Sequence, residues 1–264
     1  AYNKIYNSIK NDKPAGILAW SSGNHAQGVA EAANIFNIKS TIVMPKDAPQ
    51  NKINGTKSRK ANIVFYNRKT ENREEIGNSI ARKNNLLIIP PYDDPDVIAG
   101  QGTIAREIID QVPDFDSVLV PIGGGGLISG ISIALKEMNH SARIIGCEPE
   151  SVDDTYQMYN AKKRIEMKHR ESVADGLMAI VGQLTLPIIQ KNIDDIILAS
   201  EREIIDSTKL IWERMKIIVE PSCALVLASL IKNKDKFFGQ KIVLVITGGN
   251  VDLVDLPWSK VGKD

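Results

Sequence analysis

The sequence predicts an α/β protein made of two three-layer α/β/α domains with mainly parallel sheets. Three observations carry that expectation. Short β-branched apolar runs alternate with amphipathic stretches almost throughout the chain. A proline-rich segment divides the runs into two sets of similar size. In each set one run ends in a glycine-bearing loop that opens straight into a helix, the arrangement by which open parallel sheets hold ligands.

Taken in order, residues 1 to 11 read as a helix with Tyr2, Ile5, Tyr6 and Ile9 on one face, although nothing caps its start. Strands are expected at Gly16 to Trp20, Thr41 to Pro45, Asn62 to Tyr66, Leu86 to Pro90, Ser117 to Ile122, Arg143 to Cys147, Asp195 to Ala199 and Lys241 to Thr247. Helical periodicity marks Ala26 to Phe36, Arg73 to Asn84, Ile104 to Gln111, Glu201 to Met215 and Ala224 to Lys232. Pro90-Pro91-Tyr92-Asp93-Asp94-Pro95 breaks both periodicities and sets the domain junction. The expected division is a small domain over 15–92 and a larger one formed by 1–14 together with 93–264.

At 264 residues, 43% of them hydrophobic, the chain buries about three quarters of its unfolded surface on folding. Lys and Arg total 33 against 32 Asp and Glu, so charge gives no reason to expect nucleic acid or a membrane surface as partner. The basic clusters Lys57-Ser58-Arg59-Lys60 and Lys162-Lys163-Arg164 read as solvated helix faces. Cys147 and Cys223 lie within apolar strand and helix signals, which points to buried free thiols in a reducing compartment. No apolar run approaches the roughly 18 residues of a membrane span, and a cytoplasmic protein is the expectation.

Val118-Leu119-Val120-Pro121-Ile122 runs into Gly123-Gly124-Gly125-Gly126 and then into the helical pattern Leu127-Ile128-Ser129-Gly130-Ile131. Such a strand, stopped by glycines and restarted as a helix, folds backbone amides around an anion, and the helix adds its own unpaired amides. A Walker loop is excluded, because no lysine lies between Ser117 and Ala134. The strict dinucleotide fingerprint fails at Ile128 and Ser129, although Glu148, about 20 residues on, stands where a ribose-binding acid would be. A ligand-free turn is the remaining alternative, at a cost in chain entropy.

Ser21-Ser22-Gly23-Asn24-His25-Ala26-Gln27-Gly28 follows the first strand in the same way. Its hydroxyls, amide and helix amides suit a carboxylate and a polar ring substituent. Read alone, a serine here is as well explained as a helix cap, and His25 as a structural residue.

These two loops, in this order, with Glu148-Pro149, Glu220-Pro221-Ser222 and Thr247-Gly248-Gly249-Asn250 after them, resemble the fold-type II pyridoxal-phosphate enzymes. The resemblance is to the branch of serine/threonine dehydratases and serine racemases, and it spans nearly the whole chain. It implies that Gly123, Gly124, Gly125 and Gly126 cradle the cofactor phosphate, that Asn24 bonds the ring hydroxyl, and that Thr247 meets the pyridine nitrogen. Ser21, Asn24 and His25 would face the substrate carboxylate. Glu148, the Val152 carbonyl and Asp154 match a cation site of that branch, suited to Mg²⁺ or Ca²⁺; the other reading is that Asp153 and Asp154 cap the helix beginning near Thr155.

In that family the Schiff-base lysine stands in Ser-Phe-Lys-x-Arg-Gly-Ala, and this sequence opens at the final alanine, as Ala1-Tyr2-Asn3-Lys4-Ile5. The expectation is therefore a chain whose catalytic lysine lies four residues before Ala1, inactive alone, with apolar surface exposed near Tyr2 and Ile5. Lys4 is no substitute, being displaced by about 6 Å along the helix. The implied activity is conversion of L-threonine or L-serine to a 2-oxo acid and ammonia. Racemisation is the runner-up, with Ser22 as proton donor on the opposite face, and a catalytically silent fragment is the third reading. A homodimer is implied by the family alone.

Overall fold

Alternating apolar side chains build the first of two parallel sheets in the computed structural model, which describes residues 1–11, 14–168 and 170–259. The chain divides into two units, Ala1–Gly100 and Gln101–Asp264. The first runs α1 (Tyr2–Asn11), β1 (Ile17–Trp20), α2 (Asn24–Ile35), β2 (Ser40–Pro45), α3 (Gln50–Lys57), β3 (Asn62–Tyr66), α4 (Arg73–Asn84), β4 (Leu87–Ile88) and α5 (Pro95–Gln101). Its strands pair in parallel in the order β3-β2-β1-β4. Because strand side chains alternate, Ile17, Ala19, Ile42 and Met44 pack with Val29 and Ala33 of α2 on one face, while Leu18 and Val43 meet Ala81 of α4 on the other. Gly77 of α4 lets Trp20 lie flat against that helix, since a Cβ there would stand 2.5 Å from the indole.

The α1 helix lies with this first unit, not with the second as residues 1–14 were expected to. Ile5 is fully buried among Ile17, Ala19 and Val29. Three polar side chains then tie α1 to the start of α5. Asn3 Nδ2 donates to the Asp96 carbonyl and Asn7 Nδ2 to Asp96 Oδ1, both at 2.7 Å, and Lys4 Nζ pairs with Asp94 Oδ2 at 2.9 Å. The exposed apolar surface expected near Tyr2 and Ile5 is accordingly only half present: Tyr2 is 52% exposed, resting on Phe36, and Ile5 is not exposed at all.

The second unit contains α6 (Thr103–Gln111), β5 (Ser117–Pro121), α7 (Gly126–Glu137), β6 (Arg143–Pro149), α8 (Asp154–Ala161), α9 (Thr185–Asn192), β7 (Asp195–Ala199), α10 (Glu201–Met215), α11 (Pro221–Lys232) and β8 (Ile242–Leu244). The order β7-β6-β5-β8 repeats that of the first sheet, again all parallel. Val118, Val120, Ile144 and Ile196 face α6 to α9, and Leu119, Ile145, Cys147 and Ile197 face α10 and α11. Each unit is thus helix, sheet, helix, as the alternation predicts.

In both sheets the first strand is central, and the connections run off to one side before the last strand returns on the other. Ligands in open α/β sheets bind beyond the carboxyl ends of the strands at that reversal. Those ends are β1 beside β4 and β5 beside β8, which carry the two glycine-bearing loops.

Candidate active site

The loop after β1 is held by its backbone and by Ser21. The Ser21 amide donates to the Val43 carbonyl (3.2 Å), and the Ser21 hydroxyl accepts from the Gly23 amide (3.2 Å). Ser21 therefore shapes the turn and is not the helix cap that the isolated sequence allowed. Gly23 is the N-cap of α2 and no side chain caps that end, so the first-turn amides of Asn24 and His25 face forward without a carbonyl of their own helix. Asn24 is exposed at the head of the helix, and Ser22 is half-buried beside it.

His25 Nε2 donates to the Ile89 carbonyl, just past β4, at 2.9 Å. A carbonyl only accepts, so Nε2 carries the proton. Desolvation of the ring lowers its pKa from 6.5 to about 4, against the upward pull of that bond. The imidazole is thus neutral at pH 7 with Nδ1 as an acceptor, and it offers an anion no N–H from its ring. What His25 has to offer a carboxylate is its backbone amide.

The glycine loop closes β5 in the second unit. Ile122 still pairs with the sheet, its amide donating to the Cys147 carbonyl, and α7 begins at Gly126. Gly125, the N-cap, has φ +86°, and a Cβ on it would stand 2.8 Å from Thr185 Oγ1 and 2.9 Å from Ile189 Cδ1. Only glycine fits there without strain. The Gly124 carbonyl receives Thr185 Oγ1–H at 2.7 Å and the Gly182 amide at 3.2 Å. In a trans peptide the N–H points opposite to the C=O, so this clamp turns the Gly125 amide away from Thr185. No side chain caps α7. The residues therefore present amides where the sequence places an anion.

A strap of residues 172–185 walls this loop. Gly123 lies so close to it that a Cβ would stand 3.0 Å from Leu177 Cα and 3.1 Å from the Gly176 carbonyl. The Gly176 amide donates to Ser222 Oγ (3.0 Å), and the strap's far end is held by Arg164, whose guanidinium donates to the carbonyls of Val181 (2.9 Å) and Gly182 (3.1 Å). Arg164, exposed to solvent as its charge run predicts, thus also serves as a structural clamp.

Thr247 follows β8 with its side chain exposed. Its amide and that of Gly248 donate to Cys223 Sγ at 3.4 and 3.1 Å, so the thiol in the first turn of α11 buttresses the turn carrying Thr247. Sequence reasoning missed this role for Cys223, and likewise those of Thr185 and Ser222. The one available signal was their placement near the starts of helices.

Glu148 and Asp154 are both buried. Glu148 accepts from the amides of Thr155 (3.1 Å) and Tyr156 (2.7 Å), and Asp154 Oδ2 from the amide of Val181 (2.9 Å). The acceptor at the head of α8 is thus Glu148; Asp153, at the N-cap position, makes no cap bond and pairs with Arg170 instead. Burial first, then the nearby Asp154 carboxylate, push the pKa of Glu148 up to about 8. Among the described residues no three acidic, cysteine or histidine side chains group in a way that could hold a metal ion.

In the second unit an anion cradle at the end of β5 stands beside a buttressed hydroxyl at the end of β8, and in the first unit an uncapped Ser-Gly-Asn-His turn closes β1, each at the strand ends where open α/β sheets hold ligands. The chain belongs to the family of pyridoxal-phosphate-dependent enzymes, whose model matches residues 1–248. Among its relatives is the L-threo-3-hydroxyaspartate ammonia-lyase of Saccharomyces cerevisiae, 40% identical over 254 residues that cover 96% of this chain and 78% of that protein. The L-threonine ammonia-lyase of Thermotoga maritima is 38% identical over 254 residues, covering 96% of this chain and 63% of that protein. The solved structure of maize serine racemase matches with a TM-score of 0.92 at 36% identity, covering 98% of this chain and 80% of the other. The glycine loop, packed so closely on Leu177, Thr185 and Ile189 that only glycine leaves its backbone amides bare at the uncapped start of α7, fits the phosphate of that cofactor. No helix among the described residues is long and apolar enough to cross a membrane.

Proposed function

We propose that this protein is an ammonia-lyase acting on small L-amino acids that carry a β-hydroxyl, L-serine and L-threonine among them. The supporting observation is the glycine loop, whose clamped Gly124 carbonyl and uncapped helix leave amides for the phosphate. Bound pyridoxal phosphate supplies an electron sink that acidifies the α-proton of an attached amino acid. The residues of this chain do the holding. Gly123 to Gly126 fix the phosphate, Asn24 bonds the ring hydroxyl, and Thr247 meets the ring nitrogen with a neutral hydroxyl that leaves it unprotonated. Ser21, Asn24 and the His25 amide take the substrate carboxylate.

The relatives extend the substrate class. A 3-hydroxyaspartate carries the same β-hydroxyl as serine and threonine, with a second carboxylate at Cβ. A panel of L-serine, L-threonine and L-threo-3-hydroxyaspartate, assayed with the full-length gene product for ammonia and 2-oxo acid, tests the proposal. Ammonia from none of the three would sink it.

The motif lysine is not among residues 1–264, and Lys4 is engaged by Asp94 and Asp96. Burial lowers the pKa of Lys4, but the bonds to these carboxylates more than offset that and raise it, so it stays charged. Removal of the α-proton is accordingly assigned to the motif lysine and not to Lys4. Borohydride reduction and peptide mapping should find no pyridoxyl-lysine within residues 1–264; one found there overturns the assignment.

Racemisation is the second reading, supported by Ser22 on the substrate-side loop and by the likeness to maize serine racemase. Ser22→Ala should suppress D-serine formation and spare pyruvate. Equal loss of both products would remove Ser22 from the role of opposite-face acid.

A divalent cation, Mg²⁺ or Ca²⁺, at Glu148, the Val152 carbonyl and Asp154 is a separate part of the proposal, supported by two neighbouring buried carboxylates. Glu148→Ala should abolish any activation by these cations, and an unchanged cation response rules the site out.

A further inference from the structure

The carboxylate of Glu201 is spent away from its own helix. As the first residue of α10 it would ordinarily serve only the helix dipole, and the end of that helix is already closed by a capping box between Ser200 and Glu203. Glu201 instead accepts three hydrogen bonds from two separate segments. Oε1 takes the hydroxyls of Ser151 (2.5 Å) and Ser172 (2.8 Å), and Oε2 takes the amide of Val173 (2.7 Å). Every donor is satisfied by one ionised group, and such charge-assisted bonds are about twice as strong as neutral ones.

The path from this carboxylate to the glycine loop is short and continuous. Ser172, whose hydroxyl donates to Glu201, accepts the amide of Ala174 at 3.1 Å. The Ala174 carbonyl closes the Asp175–Leu177 turn through the Leu177 amide at 2.8 Å. That turn is the surface against which Gly123 lies, close enough that a Cβ there would stand 3.0 Å from Leu177 Cα and 3.1 Å from the Gly176 carbonyl and push the turn back. Glu201 therefore sets the start of the strap, and the strap sets one wall of the cradle. Ser151, in the turn Glu150–Val152 after β6, is held by the same carboxylate, so that turn and the strap keep a fixed spacing.

We propose that Glu201 is a positioning residue for phosphate binding, fixing the cradle at Gly123 through Ser172 and Val173. The proposal rests on the reading of the glycine loop as the cofactor's phosphate site. Loss of the charged acceptor should loosen the wall and weaken the phosphate contact specifically, leaving ring contacts as they were.

The test titrates the full-length protein with pyridoxal 5'-phosphate and, separately, with pyridoxal, which lacks the phosphate. Glu201→Ala should weaken binding of the phosphorylated form about tenfold, the size of one charge-assisted hydrogen bond. Ser172→Ala should weaken it by about threefold, since a neutral contact is worth less. Binding of pyridoxal should stay within about twofold of wild type in both, the range left when no contact is lost. Equal weakening of the two ligands, or no weakening of either, overturns the proposal, because a general loss of stability does not distinguish them. If Glu201→Ala fails to fold, Ser172→Ala, which keeps the other two bonds of Glu201, decides by the same ratio. A wild-type protein that binds both ligands alike refutes the phosphate reading itself. In that case amide hydrogen exchange at Gly123 to Gly126 and Gly176, read without cofactor, decides the role of Glu201: faster exchange in Glu201→Ala supports it and unchanged exchange removes it.

Discussion

Gly125 shows what a single position contributes. Its positive φ and the close approach of Thr185 and Ile189 make glycine the only residue that leaves the Gly124 carbonyl in its clamp. Gly125→Ala should destabilise the folded chain by about 1–3 kcal/mol, the cost of a strained backbone, and weaken cofactor binding as well; urea denaturation and cofactor titration measure the two effects. His25 supplies a pH dependence. Its folded pKa of about 4 lies below the 6.5 of the unfolded chain, so between these values the unfolded state binds more protons. The contribution of His25 is whole above pH 6.5 and is lost as pH falls toward 4. Glu148, pushed up to about 8 from 4.5, acts in the opposite sense between those values, so the quantity to measure is the difference from a His25→Gln variant. That difference in urea midpoint should shrink on going from pH 7.5 to pH 4.5, and a constant difference would contradict the neutral, carbonyl-bonded imidazole. Cys147, its thiol pushed up to about 12 chiefly by burial, should resist neutral thiol reagents until the chain unfolds, as read by mass spectrometry.

At the scale of elements, helix ends decide the chemistry. Asn72 caps α4 and Ser200 caps α10; α2 and α7, which follow the two glycine-bearing loops, have glycine at the N-cap and, like α3, α6, α9 and α11, no side-chain cap. Arg164 belongs at this scale too, because it fastens the strap that α9 continues. Arg164→Ala should cost about 1–3 kcal/mol, leaving two buried-end carbonyls without their charged donor, and denaturant midpoints check it. Where local pattern controls the outcome, the elements were legible: β3, α4, β7 and α10 fall on the residues the periodicity marks, Asn62–Tyr66, Arg73–Asn84, Asp195–Ala199 and Glu201–Met215. Where packing controls it, they were not. The helix α3 (Gln50–Lys57) has Ile53 as its one large apolar residue, α9 (Thr185–Asn192) is short and interrupted by Pro187, α5 starts on the Pro95 that marked a break, and β8 is only Ile242–Leu244.

For the molecule as a whole, two sheets of identical strand order put the working loops at equivalent places, after the central strand of each. Cofactor binding should therefore register in global stability. Pyridoxal phosphate at about 100 times its Kd should add about 2.7 kcal/mol to the unfolding free energy, and pyridoxal at the same concentration less; thermal or chemical denaturation with each ligand measures it. Equal stabilisation by the two would mean that the phosphate contributes nothing.

The sequence by itself determined the α/β class, the parallel alternation and the loop residues, because strand period, glycine runs and the Ser-Gly-Asn-His turn are local properties of the chain. It also carried the family resemblance, since ordered motifs survive without knowledge of their contacts. Only the tertiary structure decided that α1 packs with the first unit through Ile5, that Glu148 takes the amides at the head of α8, and that Arg164, Thr185, Cys223 and Glu201 support the loops. Each of these is a contact between residues far apart along the chain or beyond a turn, and hydrogen bonds of that kind leave no periodic trace in the order of amino acids.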